Sequence, residues 1–562
     1  MLSIALVALA GTIVAPALGP AGAGPSSGPT SPGGRSYIEG VLGYGTNASP
    51  FGARTAADRI LVALLFRGLV RLGPGASIVP DLAERWEVDS TGAHWTFHLR
   101  PDAVWQDGSP ITSEDVRFTI AALSDPAYTG AGSASWREVL VTAPDPTTVE
   151  LHLATPLGGF LQAATQPIAP AHLLAGLPPA DLAADAFGRQ PIGSGPFRIE
   201  TFDAAHAVLR AWSPGEPTAP PSGDLSVGGI GSTPDIAVGG QPRPYLAGIE
   251  LRFFGAAAAL ERAWQAGDLD AISGLPPDQL ATFDQAAGSA RIVRYPGPTL
   301  LAALPNLRSS HPALRVPAVR LALLQAIDRD RFLTEGLAGL GQRADAPIPP
   351  GSWAFDAASS PEVAFDSAAA TAGLSAAGWK KTVDGWTPKG ATGTLTIEIL
   401  GPDDTVSPVA YAAGEAVARA WRAIGLGVAH VAVGPTELAD RLRAGDFDVA
   451  VIAVNIGLDP DLYPLLASSQ TTGARTNVLG LQDPTLDGLL AAARAAGSLE
   501  ARKAAYVALQ VRLAAFEYLL PLAYRDEVAL VSNDLSGASI RPVGDAGGRF
   551  WDVLTWRLAD GR

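Results

Sequence analysis

The sequence contains no cysteine. This absence excludes disulfide bonds, a thiolate nucleophile, cysteine-based zinc sites and a lipid-modified N-terminal cysteine, so we expect that the chain is not a lipoprotein. Histidine is also scarce: the seven histidines are scattered, and none forms the HExxH pair of a zinc enzyme. We therefore expect no metal site, no cofactor and no catalytic residues.

Charge is low and biased in sign. Only 17% of the residues are charged, and the formal net charge of the 562-residue chain is -15. Nucleic acids and anionic membranes bind through Lys- and Arg-rich patches, so neither is expected as the main partner. Hydrophobic residues make up 47% of the chain. A chain of this length exceeds the size at which one core keeps growing, so we expect two or more lobes.

The N-terminal residues 1–34 differ from the rest of the chain. Leu2–Ala17 carries no charge, and a tract rich in Gly, Pro, Ser and Ala follows it to Gly34. The apolar run is at the short end for a membrane span, which needs about 17–25 residues. Because no Lys or Arg precedes it, the charged start of a standard signal peptide is missing. The pattern is compatible with a signal segment, an unconventional membrane anchor or a buried helix; we expect export, and hence an extracytoplasmic (periplasmic or cell-surface) protein.

A compact strand–strand–helix module is predicted over Val79–Ile120. In His94–Arg100, apolar side chains alternate with polar ones, which is the period of a strand with one apolar face. Gln106–Pro110 consists of turn formers. Thr112 is suited to the N-cap of a helix, and Asp115 stands three residues later as its capping-box partner.

The residues of this module are similar to those of a known family. PDLAERWEV (80–88) followed by WTFHLRPDAVWQDGSPITSEDVRFTI (95–120) resembles the signature of the family 5 extracellular solute-binding proteins of ABC importers. PIGSGPFRIE (191–200) resembles the family's return from a small subdomain to the first lobe. The resemblance implies an α/β protein with the two-lobed periplasmic-binding-protein type II (class C) fold and an extra small subdomain in lobe I.

The resemblance also implies how the chain is divided. The expected segments are lobe I at 35–75, 190–298 and 523–562, the small subdomain at 76–189, and lobe II at 299–522. Residues 214–244 are dense in Gly, Pro, Ser and Thr, which predicts a mobile insertion. Two segments are expected to cross between the lobes, near Pro296–Leu301 and Leu522–Glu527.

The first apolar strand is followed by Gly43–Ala48, which formally satisfies the GxGxxA dinucleotide fingerprint. That fingerprint needs a helix directly after the turn, whereas Ser49–Gly52 follows here. We favour the alternative that the resemblance implies, in which this turn lies at the floor of a ligand cleft. Tyr44, Thr46 and Asn47 are then candidate ligand-binding residues.

Two similar phrases, Ala266–Ile272 and Ala444–Ala450, each follow an amphipathic helix. Their Gly suits the position after a helix end, and a strand follows. One helix–Gly-Asp–strand unit in each half is what two α/β lobes would contain. Paired aspartates could indicate metal or acid chemistry, but a solvated turn is their commoner role.

The sequence departs from the family at one position of interest. In peptide-binding relatives an Asp of lobe II holds the peptide's α-amine, and an aromatic residue precedes it. Aligned on Asp459-Pro460, that Asp falls on Ile456; aligned on Gly445-Asp446, it falls on Gly457, and the aromatic falls on Val454. Because neither position is acidic, the sequence disfavours a clamp for a charged amine.

Other polar residues lie in stretches that the resemblance places at the cleft. Asp459 or Asp461 could replace the missing acid from a shifted loop, although an exposed turn carboxylate is the commoner role. Asn455, Arg475 and Asn477 could bind a neutral or blocked ligand. Arg475 could hold a ligand carboxylate or form a plain surface ion pair.

The implied function is that of a monomeric extracytoplasmic receptor that captures a peptide-like or other small polar solute and delivers it to an ABC permease in the membrane. Two other classes stay open. The altered clamp is compatible with a non-transport relative that acts as a sensor or scaffold. A secreted hydrolase would need a nucleophile, a base and oxyanion donors in mutual reach, and no motif in the sequence supplies that set.

Overall fold

The computed structural model describes residues 35–128, 130, 136, 138–214, 244–276, 279–280, 283, 290–471, 476–495 and 498–559. The expected signal or anchor segment 1–34 lies outside the described residues, and so does the expected insertion 214–244 apart from its two end residues. Within the described ranges, no helix combines the length and the apolar character needed to cross a membrane.

Eleven strands form one sheet that runs through both lobes. Neighbouring strands from the lobe II edge to the lobe I edge are Gly427–Val433, Thr396–Pro402, Val449–Asn455, Ala290–Pro305, Leu520–Ser532, Ala271–Ser273, Tyr37–Leu42, Gly248–Phe254, His206–Ala211 and Phe197–Phe202, with Gly341–Arg343 also paired to Leu520–Ser532. Tyr37–Leu42 and Thr396–Pro402 are each parallel to both of their neighbours. Parallel strands joined by helices are the mark of α/β lobes.

Helices cover the sheet in both lobes. The α-helices are Ala56–Leu65, Ser113–Ser124, Phe160–Ala163, Ala171–Leu174, Ala257–Gln265, Pro317–Gln325, Arg329–Gly336, Ser367–Ala376, Pro408–Ala423, Pro435–Ala444, Tyr463–Leu466, Pro484–Arg494 and Leu499–Phe516. The 3₁₀-helices are Pro74–Ala76, Ala186–Arg189, Ser468–Gln470, Ala546–Phe550 and Val553–Thr555. Two-stranded pairs are Val70–Leu72 with Ile78–Pro80, Lys380–Thr382 with Gly385–Thr387, and Leu535–Ser536 with Arg557–Leu558.

The lobes are joined by two long antiparallel strands, Ala290–Pro305 and Leu520–Ser532, which we call the crossing strands. One end of this pair continues into the lobe I sheet through Ala271–Ser273, and the other end pairs with Val449–Asn455 of lobe II. Both predicted crossing segments lie within these strands. The register shifts at 295–299, where two prolines flank Gly297 and cannot donate hydrogen bonds.

The small subdomain contains a four-stranded antiparallel sheet, in the order Ala83–Val88, His94–Leu99, Thr148–Leu153 and Val139–Asp145. The predicted alternation in His94–Leu99 is confirmed, because Trp95, Phe97 and Leu99 are buried while the residues between them are not. The predicted capping box is confirmed too: the backbone N–H of Thr112 donates to Asp115 Oδ2 at 2.8 Å.

Each lobe buries apolar side chains on both faces of its part of the sheet. Leu300 and Leu301 are successive on one crossing strand and belong to two different lobe II cores. Ala271 and Ile272 divide in the same way between two lobe I cores. The small subdomain adds its apolar residues, Phe97 among them, to one lobe I core instead of forming its own. Hydrophobic burial therefore binds the subdomain to lobe I.

A buried ion pair fastens the C-terminal segment to the first strand. Arg549 Nη2 donates to Glu39 Oε1 at 2.8 Å, and both side chains are at most 2% exposed. The Tyr37 hydroxyl donates to the second carboxylate oxygen at 2.7 Å. A buried charge needs such partners because the interior solvates it poorly.

The two Gly-Asp phrases have structural roles. In lobe I, the Asp270 carboxylate accepts a hydrogen bond from the backbone N–H of Ile38 at 2.9 Å and pairs with Arg35. In lobe II, Asp448 accepts from the N–H of Glu398 at 2.8 Å. The second aspartate of each phrase, Asp270 or Asp448, therefore joins its strand to a neighbouring parallel strand. The predicted role in a solvated turn fits only the first aspartates, Asp268 and Asp446, which are exposed.

The longest helix enters a crossing strand through a left-handed residue. Glu517, which follows Leu499–Phe516, has φ 44°, a conformation that side chains with a Cβ rarely adopt. The buried guanidinium of Arg320 holds this bend by donating from Nε to Glu517 O at 2.7 Å. Burial raises the pKa of the Glu517 carboxyl to about 7, while Arg329 and Arg320 oppose that rise.

We expect Glu517 to make the stability of the protein depend on pH. A folded-state pKa of about 7 lies above the unfolded value of 4.5, so the folded state binds the proton more tightly. The resulting stabilisation is present below about pH 4.5 and is lost as the pH rises to 7. Glu517→Gln should remove this dependence and raise the unfolding free energy at pH 8 by roughly 1–3 kcal/mol, measured by urea denaturation from pH 5 to 8. As a control, Glu335→Gln on the surface should keep the wild-type profile; an unchanged slope in Glu517→Gln would contradict the assignment.

Candidate functional site

Lobe I and lobe II also touch outside the crossing strands. Asn455, at the end of a lobe II strand, directs its side-chain Nδ2 to the carbonyl of Gly544 in the C-terminal segment at 3.5 Å. In a lobe II loop, the backbone at Gly351 lies next to Pro542 of the same segment. The backbone N–H of Gly158, in the small subdomain, donates to the carbonyl of Arg494 in lobe II at 3.0 Å. These contacts show which parts of the two lobes face each other, and the ligand cleft of the family is expected there.

The predicted turn after the first strand is held by one buried carboxylate. The backbone N–H groups of Thr46 and Asn47 donate to Asp58 Oδ1 at 2.6 and 2.9 Å, and the Thr46 hydroxyl donates to Oδ2 at 2.9 Å. The Asn47 side chain donates to the carbonyl of Ala183 at 3.1 Å. Tyr44 alone among the three predicted residues presents a large free surface, with 55% of it exposed. The turn is thus rigid, and Tyr44 projects from it.

Asn477 is committed to its own lobe. It is 2% exposed, and its Nδ2 donates to the carbonyls of Leu466, Ala467 and Leu481 at 3.0–3.2 Å. Its Oδ1 accepts from the backbone N–H of Leu481 at 3.2 Å. The amide therefore holds a loop together. Asn455 differs, since it is only half-buried and faces lobe I. Arg475, the remaining basic candidate, lies outside the described residues.

Asp459 is bound by an arginine. Arg502 donates from Nη1 and Nη2 to the two carboxylate oxygens at 2.8 and 2.6 Å, a bidentate pair. Asp461 forms a second ion pair, at 3.1 Å from the Nε of Arg494. Both carboxylates are thus neutralised by residues of lobe II, and neither is a free acid in the cleft.

The two positions aligned with the family's amine-binding Asp, Ile456 and Gly457, have no polar side chain, and the structure shows what surrounds them. Ile456 is fully buried in a lobe II core, and its backbone N–H donates to the carbonyl of Pro298 at 3.0 Å. Gly457 has φ 84° and donates to the side chain of Asn455 at 2.9 Å. Val454 is fully buried too. No carboxylate therefore stands at either aligned position.

Two residues next to the contacts between the lobes escaped the sequence reasoning. Asp545 follows the interlobe contact at Gly544 and lies 4.0 Å from Arg59. Desolvation raises the pKa of this carboxyl and the charge of Arg59 opposes that rise, while 48% of the side chain is accessible to solvent. Trp353 lies two residues after Gly351, and its ring packs under the Arg502 guanidinium at 4.5 Å. The sequence signal that could have indicated Trp353 is the Pro349–Gly351 turn just before it, since turns often carry binding residues.

Within the described ranges, no group of three or more histidines and acidic residues is placed to hold a metal ion. Polar groups at the cleft are hydroxyls, amides and paired charges. Such a surface can orient a solute by hydrogen bonds and stack an aromatic ring on it.

The family can now be stated. The model of the bacterial extracellular solute-binding proteins, family 5, matches residues 77–476, and the chain belongs to that family. The two-lobed α/β fold of the periplasmic binding proteins, predicted from the sequence, is confirmed by solved structures. The chain shares a TM-score of 0.71 with NikZ of Campylobacter jejuni, at 23% identity and covering 93% of this chain and 99% of that one. AppA of Bacillus subtilis gives a TM-score of 0.71 at 21% identity, covering 94% and 99%.

The matches to curated relatives cover different shares of the two chains. The probable D,D-dipeptide-binding periplasmic protein DdpA of Escherichia coli is 25% identical over 66% of this chain and 64% of its own length. The match to the putative peptide-binding proteins of Brucella covers 53% of their length. The chain therefore spans less than two thirds of the length of DdpA and of the Brucella proteins. The probable di/tripeptide-binding protein 5 of Pseudomonas aeruginosa is 25% identical over 90% of this chain and 94% of its own length.

We expect Asn477→Ala to lower the unfolding free energy by roughly 2–4 kcal/mol, because it leaves buried carbonyls and the Leu481 N–H without partners. Urea denaturation measures this loss. Asn455→Ala is the matched control: it removes the same side chain from a half-buried position and should cost less than about 1 kcal/mol. Equal losses for the two variants would contradict the different roles assigned to them.

Proposed function

We propose that the protein is an extracytoplasmic receptor of an ABC importer, which captures a peptide-like or other small polar solute between its lobes and hands it unchanged to a membrane permease. One observation carries the proposal: in a chain of the solute-binding family, two α/β lobes joined by the crossing strands face each other across a cleft. We propose in addition that it acts as a monomer, without a cofactor or enzymatic activity, and is exported by its N-terminal segment.

The crossing strands suggest how capture works. Their register shift at 295–299, with two prolines, interrupts the hydrogen-bonded ladder where the chain passes between lobes. Bending there would move lobe II relative to lobe I. A ligand that touches both walls favours the closed form only by the difference in its affinity for the closed and open forms.

The class of ligand follows from the relatives and from the missing acid. The relatives are described as binding dipeptides, or di- and tripeptides, and solved structures of similar fold hold a nonapeptide, Ni(L-His) and agropinic acid. Ile456 leaves no carboxylate for a charged α-amine. We therefore propose a polar solute whose binding does not depend on a free amine.

Among the candidate residues, we propose that Tyr44 and Asn455 contact the solute directly. Thr46 and Asn47 would hold the turn that carries Tyr44, and Arg475 stays a candidate for a ligand carboxylate. Asp459 and Asn477 would act through the shape of lobe II, because their polar atoms are engaged within that lobe. The Nδ2 of Asn455 differs, since it makes only a long contact of 3.5 Å to Gly544 O of the opposite lobe. Trp353 offers an apolar surface beside them.

Titration of intrinsic tryptophan fluorescence with paired ligands tests the function. We expect an N-acetylated tripeptide to bind within about threefold of the same tripeptide with a free amine, because no acid stands at the position of the family's amine clamp. Asn455→Ala should weaken saturable binding about tenfold, or about 1.4 kcal/mol. Mass spectrometry of the released solute should show it chemically unchanged.

A library of peptides and opines extends this test. Saturable binding of some members, with the free and acetylated forms alike, supports the proposal. A free amine that tightens binding more than tenfold would contradict the amine-independent ligand. No saturable response across the library, or a converted product, would overturn the receptor function itself.

A further inference from the structure

The small subdomain touches lobe II through a pair of glycines. Gly158 and Gly159 precede the short helix Phe160–Ala163. Besides the hydrogen bond from Gly158 N–H to Arg494 O, the backbones lie very close: a Cβ on Gly158 would come within 2.7 Å of the carbonyl oxygen of Ala495. A Cβ on Gly159 would lie 2.9 Å from the carboxylate carbon of Asp459. Only glycine permits this approach.

The surface that receives the glycines is formed by residues of lobe II. The Asp459–Arg502 pair lies beneath them, with side-chain exposures of 19% and 8%. Arg502 is held a second time, over the ring of Trp353 at 4.5 Å. Its Nε has no hydrogen-bond partner and would be 2.7 Å from a Cβ at Gly158. The ion pair with Asp459 and the contact with the Trp353 ring thus hold the planar Arg502 guanidinium in place; we call this surface the platform.

A second ion pair extends this platform. Arg494, whose carbonyl accepts the hydrogen bond from Gly158, pairs with Asp461 at 3.1 Å and lies over the Tyr463 ring at 4.8 Å. The carbonyl that receives the subdomain is therefore on a residue whose own side chain is held in place.

We propose that Gly158 and Gly159 form a clasp with the Asp459–Arg502 and Asp461–Arg494 pairs, closing the cleft by direct contact between the small subdomain and lobe II. The glycines are positioning residues: they shape the closed form without binding the solute. This inference rests on the proposed receptor function, because a clasp matters only in a protein that opens and closes.

The clasp changes what a ligand has to supply. Its contacts are made by the protein alone, so they favour the closed form before any solute binds. A ligand then needs less differential affinity to hold the lobes together. A side chain at Gly159, above all a carboxylate facing Asp459, should shift the unliganded protein toward the open form.

The absence of cysteine permits a direct measurement. Leu140→Cys in the small subdomain and Val383→Cys in lobe II replace side chains that are 73% and 102% exposed, and they accept spin labels without competing thiols. Pulsed electron paramagnetic resonance on the labelled protein, without ligand, then reports the distance between subdomain and lobe II. Gly159→Asp should lengthen the mean distance by more than about 2 Å, the scale of a domain rearrangement.

Gly176→Asp is the matched control, because it places the same side chain in the same subdomain where a Cβ would meet nothing within 4 Å. It should leave the distance distribution unchanged. Gly158→Ala, the smallest change at the clasp, should lengthen the distance less than Gly159→Asp, and circular dichroism should show that both variants are folded. If Gly158→Ala and Gly159→Asp are both folded and both keep the wild-type distribution of spin-label distances, the clasp proposal is wrong. Because no ligand is used, the result is independent of whether the fluorescence titrations succeed.

Discussion

The ladder of hydrogen bonds between the two crossing strands is the constraint on which the rest depends. One end of the pair belongs to the lobe I sheet, where Val293 faces Ala529, and the other to lobe II, where Leu301 faces Ala523. Each lobe therefore grows outward from the same two strands, and their relative positions are set by the twist and register of that pair. The ladder is irregular at 295–299 and again between Leu301 and Ala302, so its regular pairing is interrupted where the chain passes from one lobe to the other.

Much of the fold could be predicted because its signals are local. The alternation in His94–Leu99 and the capping box of Thr112 and Asp115 are decided by residues within a few positions of each other. The two helix–Gly-Asp–strand units are local as well. The order of such motifs along the chain was enough to indicate the family and, with it, the two lobes.

The candidate site was less predictable because the same side chain serves a ligand or the protein equally well. Asp459 was a candidate acid, yet its partner Arg502 is 43 residues away, on the helix Leu499–Phe516. Asn477 has the chemistry of a ligand-binding amide, but the carbonyls around it consume that capacity. The interlobe role of Gly158 depends on a surface more than 300 residues further along the chain, which no local pattern reveals.

The buried pair of Glu39 and Arg549 has a consequence for the order of folding. These residues are 510 positions apart, so lobe I cannot complete its core until nearly the whole chain has been synthesised. Lobe II, in contrast, is formed by one continuous stretch between the crossing strands. Contacts of high sequence separation form slowly. We expect refolding in two kinetic phases, with lobe II gaining protected amides first and lobe I following as the slower unit.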